Sequence, residues 1–293
     1  MKKFRYLTPQ TLDEAISLHE SYRDRARYIA GGTDVLIKIK TGQVAPDYLI
    51  SLKHILGQDR PLFNHETGEL FIGAFVTHRR IEQSATVRRR YPILHDAVKN
   101  IGSVQIRNVA TIGGNLVNAV PSADGAIPLI ALDALAKIYG PKGLRSIDLL
   151  HFFQGPGQTV LEGSEILTEI VIPALQPRTG SAYIKFGRRN AMELPLLGVG
   201  VLISLEDDHV TCAKARIGLG VAAPTPIRAH EAERFLMGQA VTDETLAAAG
   251  RIAAEESRVR DSIRGVAWFR RDMVNVLVKR MGRKCLERIE QQE

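Results

Sequence analysis

QIRNVATIGGNLVNAVPSAD, residues 105–124, sets a glycine pair among hydroxyl and amide side chains and ends on an acid. An earlier stretch, RYIAGGTDVL at residues 27–36, has the same make-up: apolar residues, Gly31 and Gly32, then Thr33 and Asp34. Neither fits G-x-G-x-x-G or G-x-x-x-x-G-K-[ST]. Adjacent glycines reach positive φ and turn successive backbone N–H groups into one concavity, a nest for anions. Alone, the first pair reads more simply as a plain strand–turn–strand. Read together, both pairs follow a strand and predict two loops closing on a pyrophosphate from opposite sides. Such a site would depend on backbone amides and need no lysine. Asp124 keeps two readings open: an acceptor for a cofactor hydroxyl or ring N–H, and the N-cap of the next helix.

Working outward, TPQTLDEAISLHES predicts a helix opened by Thr11, with Leu12, Ala15, Ile16 and Leu18 on one face. ARYIAGG is a strand entering the first glycine pair, and VLIKIKTG follows in broken alternation. PDYLISLKHI and ELFIGAFV are further short strands. Residues 77–102 are helical with an interruption at Pro92, and His78 reads as a capping or surface residue. The Pro/Gly/Thr-rich stretch PALQPRTGS places a domain boundary between residues 177 and 178, giving domains 1–177 and 178–293. The first divides into subdomains of about 1–55 and 56–177. Beyond the boundary, SAYIKFGRR, LLGVGVLISLED and HVTCAKARIGLGVAA predict three antiparallel strands, and three helical segments follow. Strands first and helices later describe an α+β arrangement.

The 293 residues are 45% apolar and 24% charged, enough for about two domains with their own cores. The net charge of +7 is moderately basic, with a tight run at Arg88, Arg89 and Arg90. With only 6% aromatic residues and none interleaved with that charge, nucleic-acid binding is disfavoured. Two separated cysteines, Cys212 and Cys285, argue for a reducing compartment and against a thiolate cluster or zinc site on this chain. No apolar leader or run long enough for a bilayer is present, so the expected location is cytoplasmic. Eight scattered histidines form no H-x-x-x-H or H-E-x-x-H pair, so no metal site is expected. Ser103 and Ser122 lack a paired His/Asp arrangement, which excludes nucleophilic hydrolysis.

AGGTD (30–34), IRNVATIGGNLVNAVPSAD (106–124) and EILTEIVIP (165–173) together resemble the FAD-binding subunit of the molybdenum hydroxylases. That family includes carbon monoxide dehydrogenase, bacterial xanthine dehydrogenases and 4-hydroxybenzoyl-CoA reductase, and the resemblance covers essentially the whole chain. It implies an FAD-binding fold of the vanillyl-alcohol-oxidase/p-cresol-methylhydroxylase type, two α+β subdomains with FAD between them. A C-terminal domain with a three-stranded antiparallel sheet and helices follows. By that likeness Ile29, Ala30, Gly31, Gly32, Thr33, Asp34 and Val35 wrap the pyrophosphate. Thr111, Ile112, Gly113, Gly114 and Asn115 supply the second phosphate loop. Ile101 packs near the flavin, Asp124 accepts a hydrogen bond from the cofactor, and Lys185 lies close to the flavin. Leu167 touches the adenine or ribose region. On local pattern alone, Leu167 is a core strand residue and Lys185 a solvated one.

The resemblance further implies non-covalent FAD and no catalytic side chain on this chain. A small iron–sulfur subunit and a large molybdopterin-binding subunit would complete a dimer of heterotrimers. Electrons would pass from the clusters through FAD to NAD+ or another acceptor. On charge alone, and not from the resemblance, the arginine run would face the iron–sulfur partner. The cysteine-bearing insertion of 4-hydroxybenzoyl-CoA reductase is absent, which counts against that role. Two other readings are a self-contained FAD oxidase or dehydrogenase and a non-enzymatic nucleotide-binding module. The first needs an acid/base residue near the flavin, for which the sequence offers no candidate.

Overall fold

The computed structural model describes residues 2–55, 61–189 and 191–292. The expected subdomain junction at 55/56 abuts residues 56–60, which lie outside the described ones. The first unit comprises β1 (Arg5–Leu7), α1 (Leu12–Tyr22), β2 (Ala26–Ile29), α2 (Val35–Lys40) and β3 (Tyr48–Ser51). Its strands form a parallel sheet in the order β1-β3-β2. Thr11 caps α1 as expected, its hydroxyl accepting from the Glu14 N–H at 3.1 Å. Ala15 and Ile16 of α1 pack onto Ala26, Ile50 and Leu52.

VLIKIK is a helix, not the second strand of a hairpin. In a strand Val35, Ile37 and Ile39 would share one face. Instead Ile37 is 59% exposed while Ile39 is buried. Val35, Leu36 and Ile39 lie on one helical face, joining Ile29, Leu49, Phe4 and Val44 in a small core.

The second unit opens with β4 (Leu62–Phe63), β5 (Leu70–Gly73), α3 (His78–Gln83), α4 (Ala85–Arg90), α5 (Pro92–Val98) and α6 (Val104–Val109). It continues with α7 (Ile112–Val117), α8 (Ala126–Ala131), β6 (Leu135–Gly140), β7 (Gly143–Asp148), the hairpin β8 (Phe153–Gly155) and β9 (Gln158–Thr159), and β10 (Ile166–Ile172). The antiparallel sheet runs β4-β5-β10-β6-β7. The predicted long helical stretch is three helices. Pro92 opens α5 at its first turn, where its missing N–H costs nothing. A second break falls at Ser84, which caps α4.

Two further expectations change here. The second glycine pair follows a helix, because Ser103 caps α6 and Arg107 anchors it by ion-pairing with Glu82 and donating to the Ile101 carbonyl. His78 is neither a cap nor exposed. Thr77 caps α3, and the His78 ring is fully buried with neither nitrogen hydrogen-bonded.

The third unit holds β11 (Thr179–Phe186), β12 (Leu197–Leu205), β13 (Cys212–Gly220), β14 (Ile227–Arg228), α9 (His230–Leu236), α10 (Asp243–Glu256) and α11 (Ala267–Glu290). Its antiparallel sheet has four strands, not three. Ile227 and Arg228 pair with Leu219 and Gly218, a stretch too short to show alternation. Cys212 and Cys285 are free and buried.

Asp133, just after α8, sits among Lys214 (2.8 Å), Arg216 (2.9 Å) and Arg228 (2.7 Å) of the third unit, and Arg228 also holds Glu233. Burial pushes the Asp133 carboxyl up, but its bonds to Arg216 and Lys214 outweigh that and hold it below its usual 3.8. Its stabilisation is therefore present above that value and is lost as pH falls through the lower folded one. Asp133→Asn should cost about 2–3 kcal/mol at neutral pH. In denaturant titrations the gap from wild type should close in acid; a gap that persists there would refute the charge clamp.

Burial, with Arg107 nearby, pushes the His78 imidazole down to about 3, from 6.5 when unfolded. The unfolded chain then binds a proton that the folded one refuses, so folding loses up to about 1.4 kcal/mol per pH unit below 6.5. His78→Leu should flatten that slope and leave neutral-pH stability within about 1 kcal/mol, since an apolar group replaces an unpartnered polar one. Unfolding curves at a series of pH values test both points; a large neutral-pH loss would show the ring to be hydrogen-bonded.

Candidate functional site

A cleft of about 600 Å³ opens between the first two units and reaches the third at Lys185. That volume is in the range of cofactor sites. Of the expected residues, Ala30, Gly31, Gly32, Thr33, Asp34, Val35, Ile101, Thr111, Gly113, Gly114, Asn115, Asp124, Leu167 and Lys185 line it. Ile29 and Ile112 do not; both are buried in the apolar cores behind the two glycine pairs.

The two pairs do different work. Gly31 meets α6: a Cβ there would sit 2.1 Å from the Val109 carbonyl oxygen. Gly32 has φ +75, which turns the chain into α2. Among the described residues, the backbone N–H groups of Gly31, Gly32, Thr33 and Asp34 donate to no protein acceptor. The first motif thus has its donors free. In the second motif they are used. Ile112 N–H donates to Val76 and Gly113 N–H to Ala74. Gly114 N–H is taken by the Thr111 hydroxyl at 3.1 Å, the N-cap of α7. A Cβ on Gly113 would lie 2.6 Å from Ala74, so that glycine serves helix–strand packing. What the second motif offers the cleft is bare backbone, the Thr111 hydroxyl and the Asn115 amide. The Asn115 Oδ1 accepts from Gly125 N–H, which leaves its NH2 group as donor.

Asp124 is not the cap of α8; Gly125 holds that position without a side-chain bond. Its buried carboxylate accepts from the Tyr183 hydroxyl at 2.6 Å and from Lys185 Nζ at 2.7 Å. The ammonium also donates to the Asn100 carbonyl at 3.1 Å. Burial pushes the Asp124 carboxyl up, against the opposing pull of Lys185 and the two hydrogen bonds. Burial and then the Asp124 charge hold the Tyr183 phenol protonated. Lys185 is therefore a half-buried member of an ion pair, not the solvated residue its alternating strand suggests.

Sequence reasoning missed several lining residues. Lys38 bridges to Asn118 at 2.7 Å, and Asn118 donates to Asp34 at 2.9 Å, so a lysine does stand in the cleft. Once α2 is a helix, the Asp34–Lys38 spacing of four is the signal that marks them as neighbours. At the far end the Tyr28 hydroxyl donates to the Ser164 carbonyl at 2.9 Å. Arg145 grips Glu165 bidentately and holds that carboxyl below its usual range. No group of metal-ligating side chains occurs among the described residues. No helix among them is long and apolar enough to cross a membrane.

Comparison with known proteins gives this geometry a context. Residues 2–175 match the family described as the FAD binding domain in molybdopterin dehydrogenase, and residues 181–285 match the CO dehydrogenase flavoprotein C-terminal domain. The chain is 34% identical to the xanthine dehydrogenase FAD-binding subunit of Escherichia coli O157:H7, over 94% of each chain. It is 33% identical to the nicotinate dehydrogenase FAD-subunit of Eubacterium barkeri, over 85% of this chain and 84% of that one. Its fold is similar to a carbon monoxide dehydrogenase structure from Hydrogenophaga pseudoflava, with TM-score 0.91 and 32% identity over 98% of each chain. With both halves matched in the same order, the chain belongs to the FAD-binding (medium) subunits of the xanthine and carbon monoxide dehydrogenase family, the oxidoreductase flavoproteins of the molybdenum hydroxylases.

Proposed function

We propose that the cleft holds FAD non-covalently and that this chain relays electrons within a multi-subunit molybdenum hydroxylase. It would take them from iron–sulfur clusters on a small partner subunit and pass them to NAD+ or another acceptor. A large subunit would carry the molybdenum cofactor, and the assembly would be a dimer of such heterotrimers. When bound, the isoalloxazine supplies the redox chemistry. The observation that carries this reading is the row of free N–H donors from Gly31 to Asp34 on the lining of a cleft of cofactor size.

In this reading those donors receive the pyrophosphate. The Thr111 hydroxyl and Asn115 amide add donors from α7, where Gly113 and Gly114 let a ligand approach the backbone. Lys38, held by Asn118, adds a positive charge beside the nest. Leu167, with Tyr28 and Leu161 nearby on the lining, gives an apolar seat for the adenine end. Ile101, Asp124 and Lys185 line the opposite end, where a flavin ring presents polar edges. Because Asp124 and Lys185 neutralise each other, that end carries both an acceptor and a donor without a buried net charge. No side chain is required as general acid or base, since the chain's task is to bind and orient.

Gly32→Val tests the nest. A valine at φ +75 is strained by about 1–3 kcal/mol, and its Cβ would press on Leu36 and Ile29 at 3.1 and 3.2 Å. Gly42 has the same φ with open space around it, so Gly42→Val carries the same backbone strain without touching the cleft. Flavin absorbance per chain after FAD reconstitution should fall about tenfold or more in the Gly32 variant and stay at wild-type level in the Gly42 variant. Equal FAD content in both would reduce the first glycine pair to a turn.

A further inference from the structure

Among the described residues, two buried side chains carry nitrogens without a hydrogen-bond partner, and the two are not alike. Arg270 lacks a partner only at Nε, and its Nη2 donates to the Ser262 hydroxyl. His78 lacks one at both Nδ1 and Nε2, and its ring is fully buried. Other buried charged groups are bonded: Arg107 to the Ile101 carbonyl, Asp124 to Tyr183 and Lys185, Glu233 to the Ile217 N–H, Asp96 to Arg288. An imidazole in this position has given up its bonds to water and made none in exchange. A group needed only for packing there would do better as leucine, which fills the space without an unpaired nitrogen. Such an orphan calls for a partner that the protein does not itself supply.

The place of His78 in the fold points to that partner. Its backbone N–H donates to the Ala110 carbonyl at 3.0 Å, and the preceding Thr77 pairs with Thr111. Further along, Glu82 and Arg107 hold α3 against α6. His78 therefore stands beside the stretch of chain that runs from Ile101 to Thr111, and it lines the cleft together with Gly102 and Ile106. This is the interval between the proposed pyrophosphate seat and the end where the flavin ring would lie. In FAD that interval is spanned by the ribityl chain, a row of hydroxyl groups. A neutral imidazole has one N–H donor and one acceptor nitrogen, the complement of a hydroxyl. Burial, and then the charge of Arg107, keep the ring neutral by pushing it down to about 3. An imidazolium would offer two donors and no acceptor.

We infer that His78 is a cofactor-binding residue whose imidazole hydrogen-bonds a ribityl hydroxyl of FAD in the cleft. The inference rests on the FAD reading above. Neither ring nitrogen is open to water, so the side chain turns to meet the ligand, a common adjustment at binding surfaces. The bond gives the ring a partner that folding alone does not provide. Removing the imidazole therefore weakens FAD binding while leaving the fold as stable as before, which separates this role from a structural one.

The test titrates the full chain, freed of flavin, with FAD as wild type, His78→Leu and His78→Gln. The leucine variant should bind FAD about tenfold more weakly, yet melt at the wild-type temperature before FAD is added. The glutamine variant, whose amide also carries a donor and an acceptor, should recover part of that affinity. ADP, which has the pyrophosphate but no ribityl chain, should bind all of them alike. Histidine NMR on the wild-type chain follows the ring directly. The ring signal missing from His78→Gln should show its N–H moving downfield and exchanging more slowly with water once FAD is added. Wild-type FAD affinity in His78→Leu overturns the assignment, and so does an equal loss for ADP, which would place the partner on the pyrophosphate. Should the leucine variant fail to fold, a ring signal in the wild-type chain that FAD leaves unmoved overturns it as well. A wild-type chain that takes up no FAD overturns the FAD reading itself.

Discussion

Everything about the cleft depends on one contact between backbones. Gly31 lies so close to Val109 and Ala110 that even a methyl group would overlap the Val109 carbonyl. This contact brings the end of β2, from the parallel sheet, against the α6–α7 junction of the second unit. Because no side chain intervenes, the two glycine motifs share one wall of the same space. A larger residue would push the units apart by more than the length of a hydrogen bond tolerates. The free N–H groups of the nest would then face a gap, not a ligand.

The third unit completes the site by electrostatics. Lys185 projects from β11 to the buried Asp124, and Tyr183 on the same strand binds the other carboxylate oxygen. A lone Asp124 at that depth would be costly to ionise; with Lys185 it becomes a positioned acceptor. Asp133, a few residues later in the chain, repeats the device at the outer edge with three cations. The two acids flank α8, whose six residues are all buried, and Ile127 of that helix fits against Gly198, Gly200, Gly218 and Gly220 on the sheet. Those glycines let a helix lie flat on two strands. They explain why LLGVGVLISL and RIGLG carry glycine where a strand would otherwise hold a side chain.

Most of the architecture was legible in the sequence because it rests on local chemistry. Thr11 and Pro92 act within a few residues of themselves, and the strand–helix order of the last unit is a pattern any window sees. The errors have a common cause. VLIKIK alternates well enough to pass for a strand, and its helix is decided by Leu49 and Val44, which come from elsewhere in the chain. QIRNVA reads as a strand because nothing local announces the Arg107–Glu82 pair that anchors α6. Ile227–Arg228 forms a strand only because β13 offers an edge. At the site the glycine pairs and Asp124 stood out in the residues themselves and Lys185 entered by resemblance alone, its local pattern reading as solvated, while Lys38, Tyr28 and Glu165 enter through partners distant in sequence.

The two glycine pairs also limit what a motif can say. AGGTD and TIGGN look alike as strings, yet one leaves its amides free and the other uses them on Ala74, Val76 and the Thr111 hydroxyl. The difference is position. Gly31 and Gly32 sit before a helix that starts only at Val35, so their donors precede its first turn. Gly113 and Gly114 lie inside the first turn of α7, where the Ala74 carbonyl just after β5 takes the N–H of Gly113 and the Thr111 hydroxyl takes that of Gly114. A pyrophosphate between them would meet donors on one side and a donor-poor backbone surface on the other. Under the proposed FAD reading, binding strength would come from the first motif and closeness of approach from the second, so substitutions at the two pairs should fail in different ways.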